Sequence, residues 1–324
     1  MLTQGGTIGI FTSSYPITAT APEATQRAIS YLEGNGYRVK LGSLTGKREF
    51  YRSGTARERA QEFNELLYDP DVSCLMATIG GMVSNAILPY IDYDYLTAHP
   101  KLIIGHSDIT ALLLGIYQRT GLTTYYGPNL VTTFAQPEPL LSDSLSCLQS
   151  VLSGEQLPYT YAMPAVYCDE PTDWSQPLPP RTLIANQWHT VQGGSVTGRL
   201  IGGNLNTITG ILGTPYMPEI KDGDILFLED TEKFAAHAER YFSTLKFRGI
   251  LDKVGGNILG KHRKFDDQGT GWTPADILLE VMGQRNIPIL ADVDCCHTVP
   301  MLTLPIGGTV HMDATQQEIA LLSY

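Results

Sequence analysis

From residue 7 to residue 120, short apolar runs alternate with helix-period segments, and that alternation restricts the first half of the chain to very few folds. TIGIFTSS reads as a buried strand and loop, APEATQRAISYLEGNG as a helix closed by glycine, YRVKLG as a strand, and TARERAQEFNELLYDP as a helix stopped by proline. VSCLMATIGG and KLIIG supply two more strands, separated by the helix-like SNAILPYI. Strand and helix in succession with short connections predict an α/β fold, a Rossmann-like parallel sheet covered on both faces with its sites at the carboxyl ends of the strands. Thr12, Ser13, Gly80, Gly81 and Ser107 all fall at such ends.

One of these ends has chemistry of its own. In KLIIGHSDIT a strand runs into Gly105-His106-Ser107-Asp108 and then into the helical pattern ITALLLGIYQRTG. A serine on a sharp strand-to-helix turn is lifted clear of the sheet, and the amides that open the helix point toward whatever attaches to it. Ser107 is therefore the candidate nucleophile, with capping of the following helix as the plainer alternative. The string is not G-x-S-x-G, because Ile109 stands where the second glycine would be, so an ordinary α/β-hydrolase fits poorly. GGTIGIFTSS is no dinucleotide fingerprint either, since its glycine pair precedes the strand.

At 324 residues the chain has room for two domains, and with 43% hydrophobic and 17% charged residues it reads as globular. We expect a Rossmann-like nucleophile domain over 1–150, a linker or covering loop over 151–185 and a β-rich, swivelling or barrel-like α/β domain over 186–324. The linker stretch LPYTYAMPAVYCDEPTDWSQPLPPRT is rich in proline, tyrosine and threonine, with little periodicity. A net charge of −11 without a basic cluster argues against a nucleic-acid partner. The start lacks a basic region and a long apolar core, and no segment has the length of a membrane span, so a cytoplasmic location away from membranes is expected. Cys74, Cys147, Cys168, Cys295 and Cys296 are odd in number and lack framework spacing, which suits a reducing compartment. Cys295-Cys296-His297 has no second ligand pair, and neither a metal nor a cofactor is expected.

A serine nucleophile needs a base, an orienter for that base and amides for the oxyanion. Of seven histidines, His99 and His237 read as exposed, His189 and His311 lie in alternating strands, and His262 sits in a basic loop as a weak competitor. His106 adjoins the serine, and neighbours on a tight turn are expected to point apart. His297 is delivered by an apolar strand to a loop tightened by Pro300, Pro305 and Gly307-Gly308, and its placement favours a functional role over a structural one. For the orienter, GDILFLED ends a buried strand at Glu229-Asp230, before a helix expected to begin near Thr231. Asp230 suits the helix cap, which leaves Glu229 free. Lys233, one turn later, either faces the same crevice and binds an anion or is a solvated helix lysine. Gly80-Gly81 follows a buried strand, so its amides, with that of Asp108, either form an oxyanion hole or belong to a structural turn.

TIGGMVSNAILPYIDYD, IGHSDITALL, GRLIGGNLNTITGILGTPY, ILFLEDTEK and CCHTVPMLTLPIGG, in this order, resemble the serine LD-carboxypeptidase family, most closely its microcin C self-immunity peptidase branch. The resemblance covers nearly the whole chain and is weakest over 151–185. It implies a Ser-Glu-His triad of Ser107, Glu229 and His297 between two domains, and a homodimer. It also implies one of two small-molecule substrates. The first is the amide of a peptidyl or aminoacyl nucleotide, where Trp174 either stacks on the base or packs the linker against the second domain, with Asn206 and Lys233 on the polar parts. The alternative is the terminal D-amino acid of a muropeptide in cell-wall recycling.

Overall fold

The computed structural model describes residues 1–154 and 157–324. The expected first sheet is present: β1 (Thr7–Phe11), β2 (Arg38–Leu41), β3 (Val72–Ala77), β4 (Leu102–Gly105) and β5 (Thr124–Tyr126) all run parallel. Some of its helices begin where local chemistry provides for their free amides. Helix Pro22–Gly34 has proline in its first turn. Helix Ala56–Tyr68 has a capping box, in which Thr55 Oγ1 accepts from the Glu58 amide and Glu58 Oε2 accepts from the Thr55 amide at 2.8 Å. SNAILPYI forms a 3₁₀ segment over Ser84–Tyr90, shortened by Pro89 inside it.

The later strands are β6 (Tyr159–Thr160), β7 (Val166–Tyr167), β8 (Ile184–Ala185), β9 (His189–Gln192), β10 (Ser195–Asn204), β11 (Ile225–Glu229), β12 (Gly256–Gly260), β13 (Ile289–Val293), β14 (Leu304–Ile306), β15 (Thr309–Asp313) and β16 (Glu318–Ser323). Eight of them make the separate β-rich sheet, in the order β6-β16-β15-β10-β11-β12-β13-β9, with β10 to β13 parallel. β7 and β8 pair only with each other, in the proline-rich stretch.

β14 belongs to neither of these groups. It follows the second sheet in the chain yet adds an antiparallel edge to the first, with Leu304 opposite Tyr126 and Ile306 opposite Thr124. Pro305, read from the sequence as tightening a loop, lies inside this strand, and an edge strand tolerates its missing N–H. The segment between β13 and β14 thus crosses from one sheet to the other.

The sheets also meet at β10, where the Asn204 amide donates to Thr110 Oγ1 at 2.9 Å. A Cβ on Gly203, whose φ is +139°, would lie 2.6 Å from the Thr110 side chain, so the strand comes this near the serine turn only with glycine there. Among the described residues no helix is long and apolar enough to cross a membrane.

Candidate active site

β4 delivers the chain to the serine turn. Ser107 has φ +64°, in the left-handed region that residues with a Cβ rarely adopt, and such strain persists only where the surroundings fix it. Here the flanking amides are held. Asn129 Oδ1 accepts from the His106 amide, and the Tyr126 hydroxyl accepts from the Ser107 amide, both at 3.1 Å. The Asp108 carboxylate is turned inward and accepts from the Ser84 amide at 2.9 Å and its hydroxyl at 2.8 Å, so only the backbone of Asp108 is free to serve a ligand.

Ser107 opens onto a cavity of about 290 Å³ that Gly80, Gly81, His106, Trp174 and His297 also line. Gly81 has φ +148°, and the hydroxyl of Ser14 accepts from the next two amides, those of Met82 and Val83, at 3.0 and 3.1 Å. The Gly81 amide itself donates to no protein group among the described residues.

β11 ends at Glu229, which is wholly buried, and His297 Nδ1 donates to its Oε2 at 2.7 Å. Glu229 Oε1 accepts from the Tyr126 hydroxyl at 2.6 Å and from Asn204 Nδ2 at 2.9 Å. Burial drives the Glu229 pKa upward, but His297 and the donors around the carboxylate outweigh it and leave the group lowered to about 2. Glu229 is therefore an anion, able to hold the His297 tautomer that presents Nε2 as a base. Among the described residues no hydrogen bond joins Ser107 to His297, although both face the one cavity. Such contacts commonly tighten only around a substrate.

The loop bearing His297 is fixed from several sides. Asp294 accepts from Trp188 Nε1 at 2.8 Å and pairs with Lys261 at 2.7 Å, Val299 and Cys168 exchange backbone hydrogen bonds, and Ser144 Oγ accepts from the Met301 amide at 2.9 Å. Cys295 and Cys296 are buried free thiols beside it.

Some expectations need revision. His106 does not point away from the serine: it also lines the cavity, its ring 5.4 Å from that of His297 and edge-on to it. It turns inward because Nδ1 donates to the Gly127 carbonyl at 3.1 Å, and burial together with His297 lowers its pKa to about 3, so it stays neutral. The helix after Glu229 begins at Ala235, and Asp230 caps nothing in it; Asp230 accepts instead from the Thr231 amide at 2.9 Å and the Asn206 amide at 3.2 Å. Lys233 donates to the Thr231 carbonyl at 3.1 Å and lies 3.6 Å from Asp230, while Asn206 accepts from the Tyr241 hydroxyl at 2.9 Å. Thr231, whose carbonyl Lys233 engages, lines the cavity. Trp174 is on the wall, on a stretch that Arg263 holds by donating to the Asp169 carbonyl at 3.0 Å. Tyr126 escaped the sequence reading altogether. Its one signal was its position at the carboxyl end of a strand, since TTYYG otherwise reads as core.

Residues 8–127 match the LD-carboxypeptidase N-terminal domain and residues 197–312 the LD-carboxypeptidase C-terminal domain. A putative carboxypeptidase of Vibrio cholerae is 49% identical over 96% of this chain and 94% of its own. The microcin C7 self-immunity protein MccF of Escherichia coli is 48% identical over 99% of this chain and 94% of its own. The solved structure of that self-immunity protein in complex with aspartyl sulfamoyl adenosine superposes with a TM-score of 0.97 at 48% identity, covering 100% of this chain and 97% of the other.

Proposed function

The chain belongs to the LD-carboxypeptidase family and is a serine carboxypeptidase-type hydrolase, and from that premise we propose that it cleaves the amide joining an acyl group to a nucleotide-like leaving group, with Ser107, Glu229 and His297 as the triad. The observation that carries this reading is the single cavity that opens onto both Ser107 and Trp174, because it places a nucleophile and an aromatic face within reach of one small ligand. The likeness to a self-immunity protein that binds an aminoacyl sulfamoyl nucleotide supports the substrate class.

In the proposed reaction His297 Nε2 takes the hydroxyl proton while Ser107 Oγ attacks the amide carbon. The amides of Gly81 and Asp108 receive the oxyanion; the Ser107 amide is already engaged by Tyr126. The C–N bond then breaks as His297 returns the proton to the leaving nitrogen. Water, activated by the same imidazole, hydrolyses the acyl ester and frees Ser107. Trp174 stacks on the base, and Lys233 and Asn206 engage the polar parts of the ligand.

The test is mass-spectrometric hydrolysis by the purified protein and its Ser107→Ala variant, offered aspartyl sulfamoyl adenosine and a muropeptide tetrapeptide side by side. Cleavage of the adenosine compound is expected, with at least a ~1000-fold lower rate in the variant. Cleavage of the tetrapeptide alone would move the enzyme to wall recycling, and undiminished turnover by Ser107→Ala would remove the serine from the mechanism.

A further inference from the structure

Glu229 and Ser107 come from different sheets, yet one side chain touches both. Tyr126, at the end of β5, is fully buried, and its ring packs edge-on against Phe227 of β11 with centroids 5.3 Å apart. Its hydroxyl accepts the Ser107 amide at 3.1 Å and donates to Glu229 Oε1 at 2.6 Å. We propose that Tyr126 is a positioning residue that ties the backbone of the nucleophile turn to the triad acid and moderates the hold of Glu229 on His297.

The direction of each hydrogen bond follows from chemistry. A backbone N–H can only donate, so the hydroxyl oxygen accepts from Ser107 and its one proton is left for Glu229. Burial, and then the Glu229 charge, push the Tyr126 pKa well above the ordinary phenol range, so that proton is retained. The carboxylate then divides its acceptor capacity: Oε2 serves His297, while Oε1 is shared by Tyr126 and Asn204. Each donor on Oε1 withdraws negative charge from the carboxylate and weakens its pull on the His297 Nδ1 proton. The same hydroxyl also satisfies an amide in the strained turn that would otherwise be left unpaired.

The proposal rests on the triad reading above, and its first readout needs no substrate. The His297 Nδ1 proton is followed by NMR in the wild type, in Tyr126→Phe, and with 3-fluorotyrosine in place of Tyr126. Loss of the hydroxyl should move this resonance downfield, because the carboxylate then holds the proton more strongly. The fluorinated ring, a stronger donor that keeps the fold, should move it upfield. Turnover of aspartyl sulfamoyl adenosine by Tyr126→Phe should fall in kcat by ~10-fold or more with KM within about twofold, because the nucleophile turn loses the group that fixes the Ser107 amide while the ligand loses no contact. A resonance unmoved in both variants overturns the proposal whether or not activity falls. Serine-independent turnover would instead overturn the triad, and leaves the resonance test of the Tyr126–Glu229–His297 link readable.

Discussion

Gly80 shows how little space surrounds the proposed nucleophile. A Cβ there would stand 2.8 Å from Ser107 Cβ, 2.9 Å from its Oγ and 3.1 Å from the Asp108 amide nitrogen. Gly80→Ala therefore intrudes on the attacking oxygen and on one of the two proposed oxyanion donors. We expect kcat to fall at least ~100-fold, the loss typical of removing one such donor, with a stability cost of only about 1–3 kcal/mol. Turnover and thermal melting of the variant check this, and near-normal turnover would mean that the wall moves aside. The residues of the proposed triad can be picked out in the sequence because each follows or closes a strand whose pattern can be read: Ser107 after KLIIG, Glu229 closing DILFLE, His297 after PILADVD. His106 and Tyr126 cannot. Their roles depend on the way an imidazole and a phenol turn within a packed interior, and Gly127 O and Glu229, which decide it, are distant in the chain.

Among the elements, the end of β1 is held by a buried acid that the proposed chemistry does not use. Glu62, on helix Ala56–Tyr68, accepts from the Thr12 amide at 2.6 Å and the Leu44 amide at 2.8 Å, pinning the two loops beside the cavity strands. Burial outweighs those two donors and raises its pKa from 4.5 to about 7. Since the folded state holds this proton more tightly than the unfolded chain, the associated stability is complete below the unfolded pKa of 4.5 and is lost as pH rises through about 7. Urea unfolding of the wild type should show a decline of roughly 3 kcal/mol from this group across that window, and Glu62→Gln should flatten it. An equal decline in both proteins would assign it elsewhere. Element types were largely legible because their periods were clear, whereas the start of the helix after Glu229 was misplaced. Glu-Asp ahead of a helical pattern looks like a cap, but Asp230 is drawn to the amide of Asn206 instead.

At the scale of the whole molecule, β14 decides what can be separated. It closes the first sheet from the far end of the chain, and without it β5 would be a bare edge, prone to pair with other copies. Residues 1–154 expressed alone should aggregate, and adding β14 back within a co-expressed remainder of the chain should recover a soluble assembly, read by sedimentation. A soluble monomeric fragment would show that the first sheet stands without its borrowed strand. This crossing was illegible beforehand because LPI, three residues containing a proline, reads as a loop, and its pairing partner lies in the other half of the sequence.

The crossing has a consequence for inheritance. The loop with His297 and the strand that anchors it are encoded in the second half of the gene but fitted to residues encoded in the first, Tyr126 among them. Recombination that exchanges C-terminal halves between diverged relatives hands the recipient a loop and an edge strand shaped for a different first sheet. The two halves must therefore change together, and the unit on which selection acts is the joint between them.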